Sequence, residues 1–147
     1  RRSPSWALSD FLHAHMMCSR AHILQGRFHT AITSCFSHQK PLHCAVNAYG
    51  LVFFGHLAAG SLSWQELTTL VAASCAGSSA GHVLWHPRHA VLGASGLLMG
   101  LVTVGGLLEP ERRFQMLLPV PGMTLSMLQI ADLALAVNAL GFLFLRQ

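Results

Sequence analysis

Four long stretches of the chain carry almost no charged residues, and these stretches predict its helices. They lie at residues 42–60, 67–85, 92–108 and 122–145, and the last of them contains a single charge, Asp132. A helix needs about 20 residues to cross the ~30 Å hydrocarbon core of a bilayer. The pattern therefore predicts four membrane-spanning helices. The third stretch is the shortest, which predicts that one of its ends lies below the membrane surface in a water-accessible pocket.

Residues 1–41 show a different pattern. They are richer in His, Ser and Arg, and their apolar runs are too short for a span. Ser9 and Asp10 precede an apolar stretch, which predicts the N-cap of a short amphipathic helix. We therefore divide the chain into an interfacial segment, residues 1–41, and a partial membrane domain, residues 42–147. The chain begins Arg-Arg-Ser-Pro without Met, so we expect a fragment of a longer protein.

Composition favours a chain whose solvent is the lipid bilayer. Hydrophobic residues make up 52% and charged residues 10%, whereas roughly 25% of the residues of soluble domains are charged. The formal net charge is +4, and no run of Lys and Arg follows the pattern of a phosphate-binding surface, which argues against a nucleic-acid partner. The predicted fold class is all-α: a polytopic membrane helix bundle with about four transmembrane helices, integral to a membrane.

Small residues recur at four-residue spacing inside two of the predicted spans. Gly77 and Gly81 share one face of the second span, and Gly96 and Gly100 share one face of the third. Such spacing lets helix backbones approach closely, which is how membrane helices associate without a hydrophobic driving force. We expect these four glycines to lie at helix contacts.

The sequence Gly93-Ala94-Ser95-Gly96 places a hydroxyl at the start of the third span. A helix N-terminus offers unpaired N–H groups and the positive end of the helix dipole, and both stabilise a developing oxyanion. Ser95 is therefore a candidate nucleophile. Taken alone, glycine and serine in a membrane helix are more often packing residues.

His43 and Asn47 lie four residues apart at the start of the first span, so they share one helix face. Two crossings separate His43 from Ser95, and an even number of crossings returns the chain to the same side of the membrane. We therefore expect the three side chains at similar depth, with His43 and Asn47 as donors to an oxyanion formed at Ser95. A lone His–Asn pair is more often a buried hydrogen-bonded pair.

Residues 33–38, Thr-Ser-Cys-Phe-Ser-His, followed by His43-xxx-Asn47 and Gly93-Ala94-Ser95-Gly96, resemble the pattern of the rhomboid intramembrane serine proteases. The resemblance runs from about Phe11 to the C-terminus. It implies that Ser95 is the nucleophile and that His43, Asn47 and the Ser95 amide hold the oxyanion. It also implies supporting roles for His38, near a water-filled entrance, and for Gly93 and Gly96. The four spans would correspond to helices two to five of a six-helix core, with no metal and no cofactor.

One departure from the rhomboid pattern concerns the catalytic base. The family uses a Ser–His dyad whose histidine lies on the sixth helix, and no histidine follows Ser95 in this chain. A serine without a base is a poor nucleophile because its hydroxyl must lose a proton as it attacks. We therefore expect the chain as given to be inactive, and the full gene product to continue into another span that bears the histidine.

Several histidines allow other interpretations. His82, His86 and His89 precede Ser95, and one of them is an alternative base for it. The same trio is an alternative metal site, as is a second group in the interfacial segment, composed of His13, His15, Cys18 and His22. Asp132, ionisable and inside a span, suggests either an ion path, as in a small transporter, or a pairing with a neighbouring helix or with a segment missing from the chain.

The function that the sequence favours is an intramembrane serine endopeptidase that cleaves the transmembrane segments of other proteins, with the lipid bilayer as its environment. The alternative is a catalytically inactive rhomboid-like protein that binds and escorts membrane clients. If the chain is complete, the missing histidine favours the alternative. The presence of Ser95 together with His43 and Asn47 favours the protease, because a binding scaffold has no need of oxyanion donors.

Overall fold

Helices form most of the computed structural model, which describes residues 4–115 and 121–144. The helices are α1 Pro4–His15, α2 Arg20–Leu24, α3 Thr30–Thr33, α4 Pro41–Ser61, α5 Trp64–Trp85, α6 Ser95–Leu108 and α7 Met127–Phe144, with a 3-10 turn at Ser34–Phe36 after α3. Two short strands, β1 Arg113–Gln115 and β2 Thr124–Ser126, lie between α6 and α7. The predicted helical fold class is confirmed in its main feature.

Two of the predicted spans, α4 and α5, are long and apolar enough to cross a membrane. Helix α6 and the described part of the last helix, Met127–Leu140, are apolar but shorter. The count of four spans therefore stays a prediction.

Helix α5 begins at Trp64, three residues before the predicted start of the second span, because a charged residue was not expected inside a helix that crosses a membrane. Glu66 lies inside α5, where its carboxylate accepts a hydrogen bond from the Ser63 amide and its own amide donates to the Ser63 hydroxyl. This capping box satisfies two amides at the helix start.

The antiparallel pair β1–β2 was not predicted. It pairs Arg113 with Ser126, Phe114 with Leu125 and Gln115 with Thr124. Because β2 occupies Thr124–Ser126, α7 begins at Met127 and not near residue 122. Strands of three residues are too short to show a period of two in the sequence, so the all-α prediction did not include them.

Helix α1 begins at Pro4, so Ser9 and Asp10 lie within it, and their prediction as an N-cap was wrong. Proline is favoured at the first helical position because its ring fixes a helical φ and its missing N–H has no partner there. Leu8 and Phe11 of α1 are exposed, as is suitable for an amphipathic helix at a membrane interface.

Helix α6 is the centre of the bundle. It packs against α4, α5 and α7, and its buried residues are Leu97, Leu101, Val102 and Gly106. Leu97 and Leu101 belong to a core cluster with Cys35, Ala58 and Cys75. Val102 belongs to a second cluster with Met127 and Ala131. The three neighbouring helices therefore fix the position of α6 along most of its length.

Glycines on α6 allow the close approach of α5. A Cβ atom on Gly96 would overlap the Ser78 side chain, and one on Gly100 would overlap the Ser74 side chain. The expectation for these two glycines is confirmed. It was wrong for Gly77 and Gly81, where an added Cβ would have no neighbour within 4 Å. The α5 residues that face Gly96 and Gly100 are serines, whose small side chains also let the two helices approach closely.

Candidate active site

The connection from α5 to α6 is held by the interfacial segment. Cys18 and Val91 form an isolated antiparallel bridge, with N···O distances of 2.9 and 2.8 Å. The Gly93 amide donates to the Ser34 carbonyl at 2.9 Å. Because the backbone groups of Val91 and Gly93 bond to the interfacial segment, these residues do not join the helix. Helix α6 therefore begins at Ser95, whereas the apolar pattern predicted a start at residue 92. Ser95 is the first residue of the helix.

Gly93 is needed for the shape of this connection. Its φ is +116°, a conformation that residues with a Cβ rarely adopt. A Cβ built on Gly93 would also lie 3.4 Å from His43 Cε1 and 3.8 Å from His38 Cδ2. The backbone just before Ser95 therefore lies directly against two imidazole rings.

Asn47 is buried, with 3% of its surface exposed. Its side-chain amide donates to the His43 carbonyl at 3.0 Å and contacts His38 Nε2 at 3.2 Å. The His38 and His43 rings meet edge to face, with centroids 5.3 Å apart. His43 itself is exposed at the start of α4. The side chains at positions 38, 43 and 47 thus form one cluster beside Gly93.

His38 connects this cluster to the start of α6. The Ala94 amide donates to His38 Nε2 at 3.3 Å, and Ala94 is the residue before the first turn of the helix. Burial, and after it the charge of His43, lowers the pKa of His38 below 6.5. At neutral pH the His38 ring is therefore uncharged, and its Nε2 lone pair is the acceptor.

Ser95 is exposed and lines a cavity of about 170 Å³. Gly93 and Gly96 line the same cavity, together with groups from the 3-10 turn, α5 and α7, among them Ser34, His82 and Asn138. The amides in the first turn of α6 have no intrahelical acceptor. The cavity thus combines a hydroxyl, free backbone donors and space for a small group.

Comparison with known proteins identifies the family of the chain. Residues 25–144 match the Rhomboid domain family. The chain belongs to the rhomboid family. It is 30% identical to RHOMBOID-like protein 12, mitochondrial, of Arabidopsis thaliana over 141 residues, which cover 82% of this chain and 42% of that protein. It is 36% identical to Rhomboid-like protein 16, chloroplastic, of the same plant over 86 residues, which cover 58% of this chain and 24% of that protein.

This rhomboid chain spans less than half the length of either relative. No solved structure matches it. Rhomboid proteins are embedded in membranes, and α4 and α5 have the length and composition that a membrane requires. The chain is therefore a membrane protein.

A buried serine pair in the rhomboid domain was missed by the sequence analysis. Ser34 and Ser79 are buried, and their hydroxyl oxygens lie 3.4 Å apart. The Ser79 hydroxyl donates to the Ala31 carbonyl at 2.9 Å, and the Ser34 carbonyl accepts from Gly93. Together these bonds join α5, the 3-10 turn and the connection before Ser95. A serine within an apolar run was the available signal, because polar groups inside a span need partners.

His82, His86 and His89 form the alternative base and metal site before Ser95. His82 lines the Ser95 cavity, and its Nε2 is a buried atom with no hydrogen-bond partner among the described residues. The His82 and His86 rings lie 5.2 Å apart, and the His86 and His89 rings 6.5 Å apart. Within residues 4–115 and 121–144, no group of three or more His, Cys, Asp or Glu side chains is arranged to hold a metal ion.

The second histidine group is distributed over separate contacts. His15 Nδ1 lies 3.0 Å from His29 Nε2, whereas His22 Nδ1 contacts the Met17 carbonyl at 2.8 Å. Asp132 is exposed on α7 and makes no ion pair with the described part of the chain. Neither the predicted pairing of Asp132 nor the interfacial metal group is found among these residues.

Proposed function

We propose that this rhomboid domain is part of an intramembrane serine endopeptidase in which Ser95 is the nucleophile. The observation that carries the proposal is the position of Ser95, at the first turn of α6 and two residues after Gly93, where an added Cβ would lie 3.4 Å from His43 Cε1. In this proposal the His43 and Asn47 side chains and the Ser95 amide are the donors to the attacked carbonyl oxygen as it becomes negative.

The reaction begins with attack of the Ser95 hydroxyl on a substrate carbonyl carbon. The hydroxyl proton goes to the histidine of the family's Ser–His dyad. The Ser95 amide, His43 and Asn47 donate to the oxyanion, and Asn47 exchanges its bond to the His43 carbonyl for this one. Collapse of the intermediate releases the amine product, which takes the proton from the histidine. Water then hydrolyses the acyl-enzyme.

The substrates in this proposal are transmembrane segments of other proteins, reached within the bilayer by a multi-pass enzyme. A helix protects its peptide bonds, because each carbonyl is hydrogen-bonded and covered by side chains. The substrate must therefore unwind locally before a carbonyl reaches Ser95. Gly, Pro and small polar residues weaken helices, so we expect them near the cleaved bond.

A fluorophosphonate probe tests the proposed nucleophile. The full-length gene product, expressed in membranes, is treated with the probe beside two variants, Ser95→Ala and Ser9→Ala. Ser9 is an exposed serine on α1 and serves as the matched control. We expect covalent labelling of the wild type and of Ser9→Ala, and none of Ser95→Ala, because the probe reacts only with an activated hydroxyl.

A folded, full-length protein that takes up no probe would contradict the protease. That result would favour the alternative, an inactive rhomboid that binds membrane clients. Retained labelling in Ser95→Ala would assign the nucleophile to another residue.

A further inference from the structure

Two N–H groups lie within hydrogen-bond distance of one ring nitrogen of His38, so they share its single in-plane lone pair. The Ala94 amide lies 3.3 Å from His38 Nε2, and the Asn47 side-chain nitrogen lies 3.2 Å from the same atom. A backbone N–H can only donate, so His38 Nε2 must carry a lone pair and the ring proton must be on Nδ1. The bond assigns both the neutral state and the tautomer of this ring.

The two donors belong to the two halves of the proposed active site. Asn47 lies on α4 and is a proposed oxyanion donor, and Ala94 directly precedes Ser95. Residues 38 and 94 are 56 positions apart in the chain. His38 is thus one acceptor that fixes the Asn47 amide and the start of α6 relative to each other.

We propose that neutral His38 is the positioning residue of the oxyanion site, and that its protonation releases both Asn47 and the start of α6, so that acid inactivates the site. The proposal rests on the proposed function for its activity readout, but the tautomer and the contacts of His38 stand independently of it. His38 itself does not touch the reacting atoms.

Protonation would reverse the role of Nε2. A charged imidazole carries a proton on both ring nitrogens and accepts no hydrogen bond. The Ala94 and Asn47 N–H groups would then face a third N–H group. A buried amide that loses its acceptor costs about 1–3 kcal/mol, and Asn47 is 3% exposed. The side chain must therefore move away from its position beside Gly93.

The groups around His38 disfavour the charged ring. His43 lies edge to face with it on α4, and His13 of α1 lines the same pocket. Lys40, two residues later, lines the neighbouring pocket with His43. These neighbours are basic, and neither pocket is lined by Asp or Glu among the described residues. Burial and the His43 charge lower the pKa of His38, in agreement with the two donated bonds.

The sign of the pH effect follows from the lowered pKa. The unfolded chain protonates His38 near its ordinary value of 6.5, whereas the folded chain does so only at lower pH. The stabilisation by His38 is therefore complete above about pH 6.5 and is lost as the pH falls through this value toward the folded pKa.

The test compares phosphonylation rates of Ser95 in full-length protein between about pH 5 and about pH 8, across the range in which histidine titrates. The variants are His38→Gln, whose carbonyl oxygen accepts but does not titrate, and His38→Leu, which cannot accept. His13→Gln is the matched control, because His13 lines the pocket of His38 without bonding to Asn47 or Ala94.

In the wild type and in His13→Gln, two protonations should lower the phosphonylation rate, that of the dyad histidine and that of His38. Below both pKa values the rate should fall about a hundredfold per pH unit, whereas in His38→Gln, where one protonation remains, it should fall about tenfold. His38→Leu should be about tenfold slower already at pH 8, as expected for a partly misplaced oxyanion donor. Identical profiles for the wild type and His38→Gln would overturn the proposal.

Selective ¹⁵N labelling of histidine gives a readout that does not depend on activity. In detergent at neutral pH, the signals missing from His38→Gln should belong to a neutral Nδ1–H tautomer. An Nε2–H tautomer, or a charged ring, would overturn the inference about His38 even if Ser95 reacts with the probe. A protein with no reactive Ser95 but with the Nδ1–H tautomer would contradict the proposed function and leave the His38 contacts intact.

Discussion

At the scale of single residues, Gly93 and His38 determine how the chain reaches Ser95. Gly93 supplies a φ of +116°, and His38 accepts from the next amide. The motif Gly93-Ala94-Ser95-Gly96 could be found in the sequence, because it stands at the start of an apolar stretch and follows His43 and Asn47 by two predicted crossings. The contact between His38 and Ala94 could not, because nothing local indicates which residue 56 positions away will accept this amide.

Replacing Gly93 with alanine should damage both the fold and the site. The strained backbone conformation costs about 1–3 kcal/mol in a residue with a Cβ, and any shift that relieves it would move the new methyl group against His43, 3.4 Å away, and His38, 3.8 Å away. We expect a lower thermal unfolding temperature in detergent and a loss of Ser95 phosphonylation.

Gly26→Ala is the matched control for this change. Gly26 also has a positive φ, of +78°, but an added Cβ would meet nothing within 4 Å. It should cost stability alone, about 1–2 kcal/mol, with Ser95 as reactive as in the wild type. Equal reactivity of Gly93→Ala and the wild type would show that the contact with His43 is unimportant.

At the scale of elements, the absence of charges located α4 and α5 well, because the bilayer excludes charge from every residue of a span. The sequence failed where a boundary depends on distant partners. Val91 pairs with Cys18, which extends the connection and delays α6. The strands β1 and β2 stabilise each other, and neither has a pattern of its own.

The close contact between α5 and α6 gives a prediction at this scale. Gly100→Ala would place a methyl group on the Ser74 side chain. Overpacking of this kind costs about 1–3 kcal/mol. The double variant Gly100→Ala with Ser74→Gly should recover most of the lost stability, because removal of the Ser74 side chain makes room for the new methyl group. Unfolding in detergent, followed by circular dichroism, measures the cycle.

Gly81→Ala on α5 is the control, since an added Cβ there has no neighbour within 4 Å. Alanine favours a helix over glycine by up to about 1 kcal/mol, so this variant should be as stable as the wild type or more so. A Gly100→Ala protein with unchanged stability would show that the helices are separated further than the structure has them.

At the scale of the whole molecule, α6 has the proposed nucleophile at its first residue and a group of polar contacts after its last turn. Beyond its last turn, the Glu109 carboxylate accepts from the Ser61 hydroxyl and pairs with Arg112 at 2.7 Å. The Ser61 bond, and after it Arg112, lowers the pKa of Glu109. These contacts join the ends of α4 and α6 on the side opposite Ser95, so both ends of the helix pair are held.

The proposed multi-pass arrangement predicts on which side of the membrane each connection lies. The loop around Arg88 should lie on the same side of the membrane as Ser95, and the loop around Glu111 on the opposite side, because α6 runs between the two loops. Both residues are exposed. In sealed vesicles, an impermeant maleimide should label only one of the variants Arg88→Cys and Glu111→Cys, and should label both after lysis. Labelling of both in intact vesicles would contradict a membrane-crossing α6.

The central claim is that Ser95 reacts because oxyanion donors from α4 lie beside it, and the initial rate of Ser95 phosphonylation in Asn47→Ala tests it most directly. Removal of one oxyanion donor costs about 100-fold or more in rate. Asn47→Ala, verified as folded by its unfolding temperature, should therefore react about 100-fold more slowly than the wild type. Gln65→Ala, which removes a side-chain amide at the other end of α5 from the site, should react at the wild-type rate. A folded Asn47→Ala protein that reacts as fast as the wild type would contradict the account.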